Sequence, residues 1–167
     1  MFRLYQASMY LQHCVGGMGA LVQPAWAGVV TQGWEIATKE VTVSGIQRSV
    51  AHAISSLQAR PLSQVRRYEL ESRTKISSVD ILVAVGQHKV VVEVDGPTHY
   101  AANSSRKRLG PSDLRDGLLR QQGFKVLPLP YYEWQKLPSD KNGNLTAEGL
   151  KKFEAWLLAA VDGKQLW

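Results

Sequence analysis

Two β-rich runs lie back to back in the middle of the chain: Ser78-Val79-Asp80-Ile81-Leu82-Val83-Ala84-Val85 and Lys89-Val90-Val91-Val92-Glu93-Val94-Asp95, separated by Gly86-Gln87-His88. Runs this rich in β-branched residues, joined across a glycine, fold as an antiparallel hairpin. Gly96-Pro97 stops the second strand. Strand side chains alternate between faces, so Glu93 and Asp95 lie on the same side. A two-residue turn at Gln87-His88 pairs Gly86 with Lys89. That register sets Asp80 opposite Asp95 and Leu82 opposite Glu93, so three carboxylates share one face of an otherwise apolar hairpin.

Like charges placed opposite one another destabilise a sheet, so the trio needs a reason. One reason is a divalent cation: Asp80, Glu93 and Asp95 would hold Mg²⁺ for phosphodiester chemistry, with His99 as base or anchoring donor. The other is structural. Asp95-Gly96-Pro97 also makes a good turn, with the Asp side chain bonding its own backbone. Asp80 can pair with Arg115 of the following helix, Glu93 with another base, and His99 can cap a loop. Spacing alone leaves both open.

The rest of the chain arranges helices around this hairpin. Phe2, Leu4, Tyr5, Met9, Tyr10 and Leu11 have helical spacing, broken by Gly16, Gly17 and Gly19. Ser44 is placed as an N-cap, and Ile46, Val50, Ile54 and Leu57 continue an i, i+4 stripe to about Gln58. Residues 1–58 therefore read as a helical segment and 59–77 as a basic linker. After the hairpin, 101–111 reads as a polar, basic loop. A helix capped by Ser112 runs to Gln122 with Gly123 as its stop, and a third strand spans Phe124 to Leu129. A polar turn follows, then a last helix capped by Thr146, whose Leu150, Phe153, Trp156, Leu157 and Val161 form one stripe. The order α, β, β, α, β, α describes a small α+β (α/β-like) core with an N-terminal helical layer.

Charge adds direction. Lys and Arg total 20 against 14 acidic residues, a net +6, which favours a polyanionic partner, nucleic acid before membrane surface. Residues 1–34 hold no acid and only Arg3, as in an acid-poor transit peptide or the apolar packing surface of a helical layer. Cys14 is the single cysteine, so a disulfide framework or a Cys-based zinc site within the chain is excluded. The most apolar run, Val15 to Val30, is interrupted by Gln23, Pro24 and four glycines and does not suit a membrane span.

The motifs also resemble a known family. Val79-Asp80-Ile81, Val92 through Tyr100, Asn103, Leu109-Gly110-Pro111-Ser112, Leu118-Leu119, Gly123-Phe124-Lys125-Val126 and Leu129 through Trp134 look like a RAP domain over roughly 78–137, followed by a polar turn and helix at 138–167. Leu4 to Ala7 and Ser44 to Val50 resemble the helical segment preceding that domain in FAST kinase-like and octotricopeptide-repeat proteins. The resemblance implies a restriction-endonuclease-like, PD-(D/E)XK fold of the very-short-patch-repair branch, and action on RNA in mitochondria or chloroplasts. Asp80 falls on the family's first acid, Glu93 and Asp95 on its E-x-D pair, His99 on the histidine after D-G-P, and Arg115 where a helical Lys is common. Nucleases of that fold carry E-x-K, and here the third position is Asp95. Gly117 stands where the family often has Arg. Both departures weaken a nuclease reading more than an RNA-binding one.

For RNA, the candidate contacts are His99, Tyr100, Arg106, Lys107, Arg108, Arg115 and Lys125, with Arg66-Arg67 secondary and Tyr131, Tyr132 and Trp134 as flat groups; Trp134 is read as core. The expectation is an organellar RNA-binding protein, mitochondrial or else chloroplast, in a ribonucleoprotein such as the mitochondrial ribosome. It needs no cofactor. The alternatives are an Mg²⁺-dependent endoribonuclease using Asp80, Glu93, Asp95 and His99, and an interaction subunit docking through its apolar N-terminal helices.

Overall fold

The structure is a computed structural model. It describes residues 43–74, 77–101, 104–164 and 166, with backbone alone for 101, 104–106 and 111. The readings made for residues 1–42 and for Asn103 lie outside the described residues.

Ser44 opens helix α1 (Gly45–Gln58) with a capping box: its hydroxyl accepts from the Gln47 N–H while the Gln47 side chain accepts from the Ser44 N–H. Three antiparallel strands follow: β1 (Val65–Arg73), β2 (Ser78–Val85) and β3 (His88–Asp95). A 3-10 turn at Pro97–His99 leads into the small hairpin β4 (Tyr100–Ala101) and β5 (Ser104–Arg108), then helix α2 (Gly110–Gln121). Strand β6 (Lys125–Pro130) runs parallel to β3, and the short α3 (Tyr131–Trp134) and the helix α4 (Ala147–Val161) complete the order. The result is a small α+β fold: a mixed four-stranded sheet, β1-β2-β3-β6, with flanking helices.

One sheet face carries Ile81, Val83, Val85, Val90, Val92 and Val94 against Val50, Ile54 and Leu57 of α1 and Phe153 and Leu157 of α4. Trp134 belongs to this core, its ring 5.2 Å from Phe153 in edge contact. Val91 and Val126 pack with Leu119 of α2 in a second cluster. Strand β3 is therefore buried from Val90 to Asp95, whereas β2 alternates between buried and half-buried residues. Two acids of β3, Glu93 and Asp95, sit at the covered end with no accessible surface.

Three expectations are corrected here. The hairpin turn falls at Gly86-Gln87, because Gly86 takes the left-handed φ of +58° that starts such a turn. Val85 then faces His88 and Ile81 faces Val92. Continuing that register puts Asp80 across from Glu93 rather than Asp95. A slip of two residues in pairing keeps every side chain on its face, so the shared acidic face survives the correction. The segment read as a basic linker holds β1, an edge strand whose pairing shifts between Val65 and Arg67. The polar loop at 101–111 is the β4–β5 hairpin, and α2 starts at Gly110 rather than after Ser112, with Pro111 in its first turn where a missing N–H costs nothing.

Both sheet edges are blunted against further strand pairing. Strand β1 carries that shift and a left-handed Glu71 at φ 47°, and β6 carries Pro128 and Pro130. Gly117 of α2 has nothing within 4 Å of where a Cβ would stand, so its space demands no glycine.

Candidate functional site

The carboxyl end of β3 places Asp95 beside the start of the 3-10 turn, and β5 returns Arg108 to the same point. The Leu109 N–H bonds the His99 carbonyl at 2.9 Å, which anchors that return. Arg108 then faces four carboxylate oxygens. Its Nε lies 2.8 Å from Asp95 Oδ2 and its Nη2 3.2 Å from Asp95 Oδ1. Its Nη1 reaches Asp116 Oδ2 at 2.7 Å and Asp113 Oδ1 at 3.0 Å, both on α2. The Nε–Oδ2 approach is an ion-pair contact without hydrogen-bond alignment, and the other three are aligned bonds. One guanidinium thus ties β3, β5 and α2 together, a task its planar fork suits and a Lys does not.

Asp95 meets a second cationic candidate. His99 Nδ1 lies 2.9 Å from Asp95 Oδ1, with the imidazole about one-third exposed. Glu93 is claimed by Arg115 of α2, whose Nη2 contacts Glu93 Oε2. Asp80 accepts the Val94 N–H at 2.7 Å. Beyond it, the Gln47 amide donates to Glu71 Oε1 at 2.9 Å, linking α1 to the strained position of β1. The three expected acids thus stand on one face and sense one another, but each has its own protein partner.

Burial dominates the electrostatics. It pushes the Glu93 carboxyl well above its usual range, opposed by Arg115 and reinforced by Asp80, Asp116 and Asp95. It raises Asp80 against the pull of the Val94 N–H, Arg115 and His99. It raises Asp116 against Arg108, and it raises Glu71 with help from the charge of Asp80. Burial works against the charge of Arg108, and Asp116 and Asp95 more than offset it. Glu93 Oε1 and Asp116 Oδ1 remain buried without a hydrogen-bond partner.

These shifts fix a sign. Four carboxyls hold their protons more tightly folded than unfolded. Their contribution is fully present below the unfolded values, 3.8 for Asp and 4.5 for Glu, and is lost as pH rises through the folded values. Denaturant unfolding across about pH 4 to 7 is expected to show stability falling with rising pH. A curve that climbs over that window would mean these groups are ionised at no cost.

Among the described residues, no three His, Cys, Asp or Glu side chains form a group able to hold a metal ion. Mg²⁺ at Asp80, Glu93 and Asp95 would have to displace Arg115 and Arg108 from their partners, so the donor set as folded does not fit it.

The candidate RNA contacts separate by exposure. Lys107 is exposed on β5. Arg108 and Arg115 are largely buried in the ion pairs just described. The side chain of Arg106 lies outside the described residues. Lys125 is half-buried on β6, Arg66 and Arg67 are exposed on β1, and Arg67 pairs with Glu69 at 3.0 Å. Tyr100 is buried among Tyr131 and Tyr132, whose centroids lie 6.2 and 5.6 Å from its own. Tyr131 and Tyr132 are half-buried.

Asp116, Asp113, Glu71 and Gln47 were not singled out from sequence. The available signal was Asp113 and Asp116, three apart on one helical face just after Arg106-Lys107-Arg108.

A family model for the RAP domain matches residues 92–146, about a third of the chain. The match begins within β3, runs through α2, β6 and α3, and ends just before α4. It includes Glu93, Asp95, His99, Arg108, Arg115 and Asp116, and starts after Asp80. The RAP resemblance read from the motifs is borne out, and the domain suggests an RNA-binding function. No described helix is long and apolar enough to cross a membrane.

Proposed function

We propose, from the RAP domain at residues 92–146, that the protein is an RNA-binding subunit of an organellar ribonucleoprotein and acts without cleaving RNA. The observation that carries the non-catalytic part is the pairing of Arg108 with Asp95 and of Arg115 with Glu93. Carboxylates committed to internal guanidinium groups serve the fold rather than a metal. The mitochondrion is the compartment this reading favours, with the chloroplast second, and a ribosomal RNA is the fitting target. Support for these finer points is the resemblance to the family alone.

The test is binding and cleavage together. Purified protein should bind single-stranded RNA, with the logarithm of affinity falling linearly as the logarithm of salt rises. Lys107→Ala should weaken binding modestly and flatten that slope by about one unit or less. Incubation with Mg²⁺ should leave the RNA intact, and tagged protein should bring down ribosomal RNA and ribosomal proteins from organelles. The nuclease reading keeps one observation, the His99 imidazole held against Asp95. Cleavage that disappears in His99→Ala without loss of fold would replace the proposal with it.

A further inference from the structure

A concave groove of about 600 Å³ runs along the free edge of β6. Its floor is the strand from Lys125 to Pro128, preceded by Phe124. One wall is the carboxyl end of α2 with Arg120, and the other is the end of α4 and the residues after it, with Lys164 and Leu166. Arg108 closes one end, but its charge is committed to Asp95, Asp113 and Asp116. The other three cations come from three different segments and converge on this one concavity. Arg120 and Lys164 are exposed, and Lys125 and Phe124 are half-buried.

Two carboxylates stand near the rim. Asp113 is engaged by Arg108, and Asp162 pairs with Lys164 at 3.0 Å. Arg120 also feels the buried Asp116. An exposed pair such as Lys164 with Asp162 is worth little and exchanges readily for another anion. A further strand is a poor occupant, because Pro128 removes a backbone donor on this edge. Cations along an open groove with an aromatic ring in its floor are what a single-stranded nucleic acid needs: phosphate contacts beside a surface for a base.

We propose that this groove, through Arg120, Lys125 and Lys164, holds the sugar–phosphate backbone of single-stranded RNA, with Phe124 offering a stacking surface. The inference rests on the RNA-binding reading and adds the surface that carries it.

The full chain is titrated with a fluorescent single-stranded RNA at several salt concentrations. The variants are Arg120→Ala/Lys125→Ala/Lys164→Ala and a control, Lys89→Ala/Lys141→Ala/Lys151→Ala, which removes the same charge from other exposed positions. The groove variant should bind roughly tenfold or more weakly near 0.1 M salt and lose about two units of salt slope, while the control keeps most of both. Melting of each variant checks the fold, and the three-fold Gln variant replaces Ala if the latter does not fold. A wild type that binds with a groove variant of unchanged slope overturns the groove and leaves RNA binding standing. Equal loss in both variants also overturns it, since charge rather than place would then decide. A wild type that binds no RNA overturns the RNA reading and the groove with it.

Discussion

Replacing Arg108 with Ala should cost about 3–5 kcal/mol, the usual result of removing one partner from a buried ion pair. The melting temperature should drop by roughly 6–20 °C for a chain of this size. Most of this is not the attraction lost but the burden left. Asp95 and Asp116 have no accessible surface, and without the guanidinium they are left in a dry site without their shared partner. Arg108→Lys should restore little, because one ammonium cannot address Asp95 in two places and reach α2 as well. The loss should shrink in acid. Asp116 already has a raised pKa, and removing Arg108 raises it further. Stability tied to its neutral form is present below about pH 4 and lost as pH climbs through the folded value. Chemical denaturation of Arg108→Ala at about pH 4 and 7 checks this. A deficit that is the same at both would show that the buried carboxylates do not carry the cost.

The same residue shows where sequence reading stops. The hairpin, α1 and α4 were legible because each has a local signature: period-two valines, a Ser44 cap before an i, i+4 stripe, a Thr146 cap whose hydroxyl accepts the Gly149 N–H. The common face of Asp80, Glu93 and Asp95 was legible too, since alternation survives a two-residue error in register. Strand β1 was not. Its inward residues, Val65 and Tyr68, are thrown out of period by the shift between Val65 and Arg67, and an edge strand exposes most of the rest, Leu70 included. The β4–β5 hairpin has no apolar period at all. It is held by Arg108 reaching Asp95, thirteen residues before it, and Asp116, eight after it. Nothing in the spacing of an Arg among other cations distinguishes one that binds phosphate from one that binds the protein's own carboxylates.

Arg115 and Glu93 decide between the two meanings of the acidic face. Glu93 is fully buried, while the Arg115 side chain keeps about a fifth of its surface in water. The two single variants should therefore be unequal. Arg115→Met strands a buried carboxylate and is expected to cost about 3–5 kcal/mol. Glu93→Gln keeps the shape, removes the buried charge and leaves a cation that can turn toward solvent, so about 1–2 kcal/mol is expected. In the double variant most of the Arg115→Met penalty should disappear, because the charge that made it expensive is gone; the cycle should show a coupling of about 1–3 kcal/mol. RNA affinity should follow the groove and not this pair, so Glu93→Gln should bind as the wild type does. Additive losses in the cycle would mean the contact carries no interaction. Glu93 would then have to be explained by a ligand from outside the chain, and the metal-dependent reading would regain the residue it needs most.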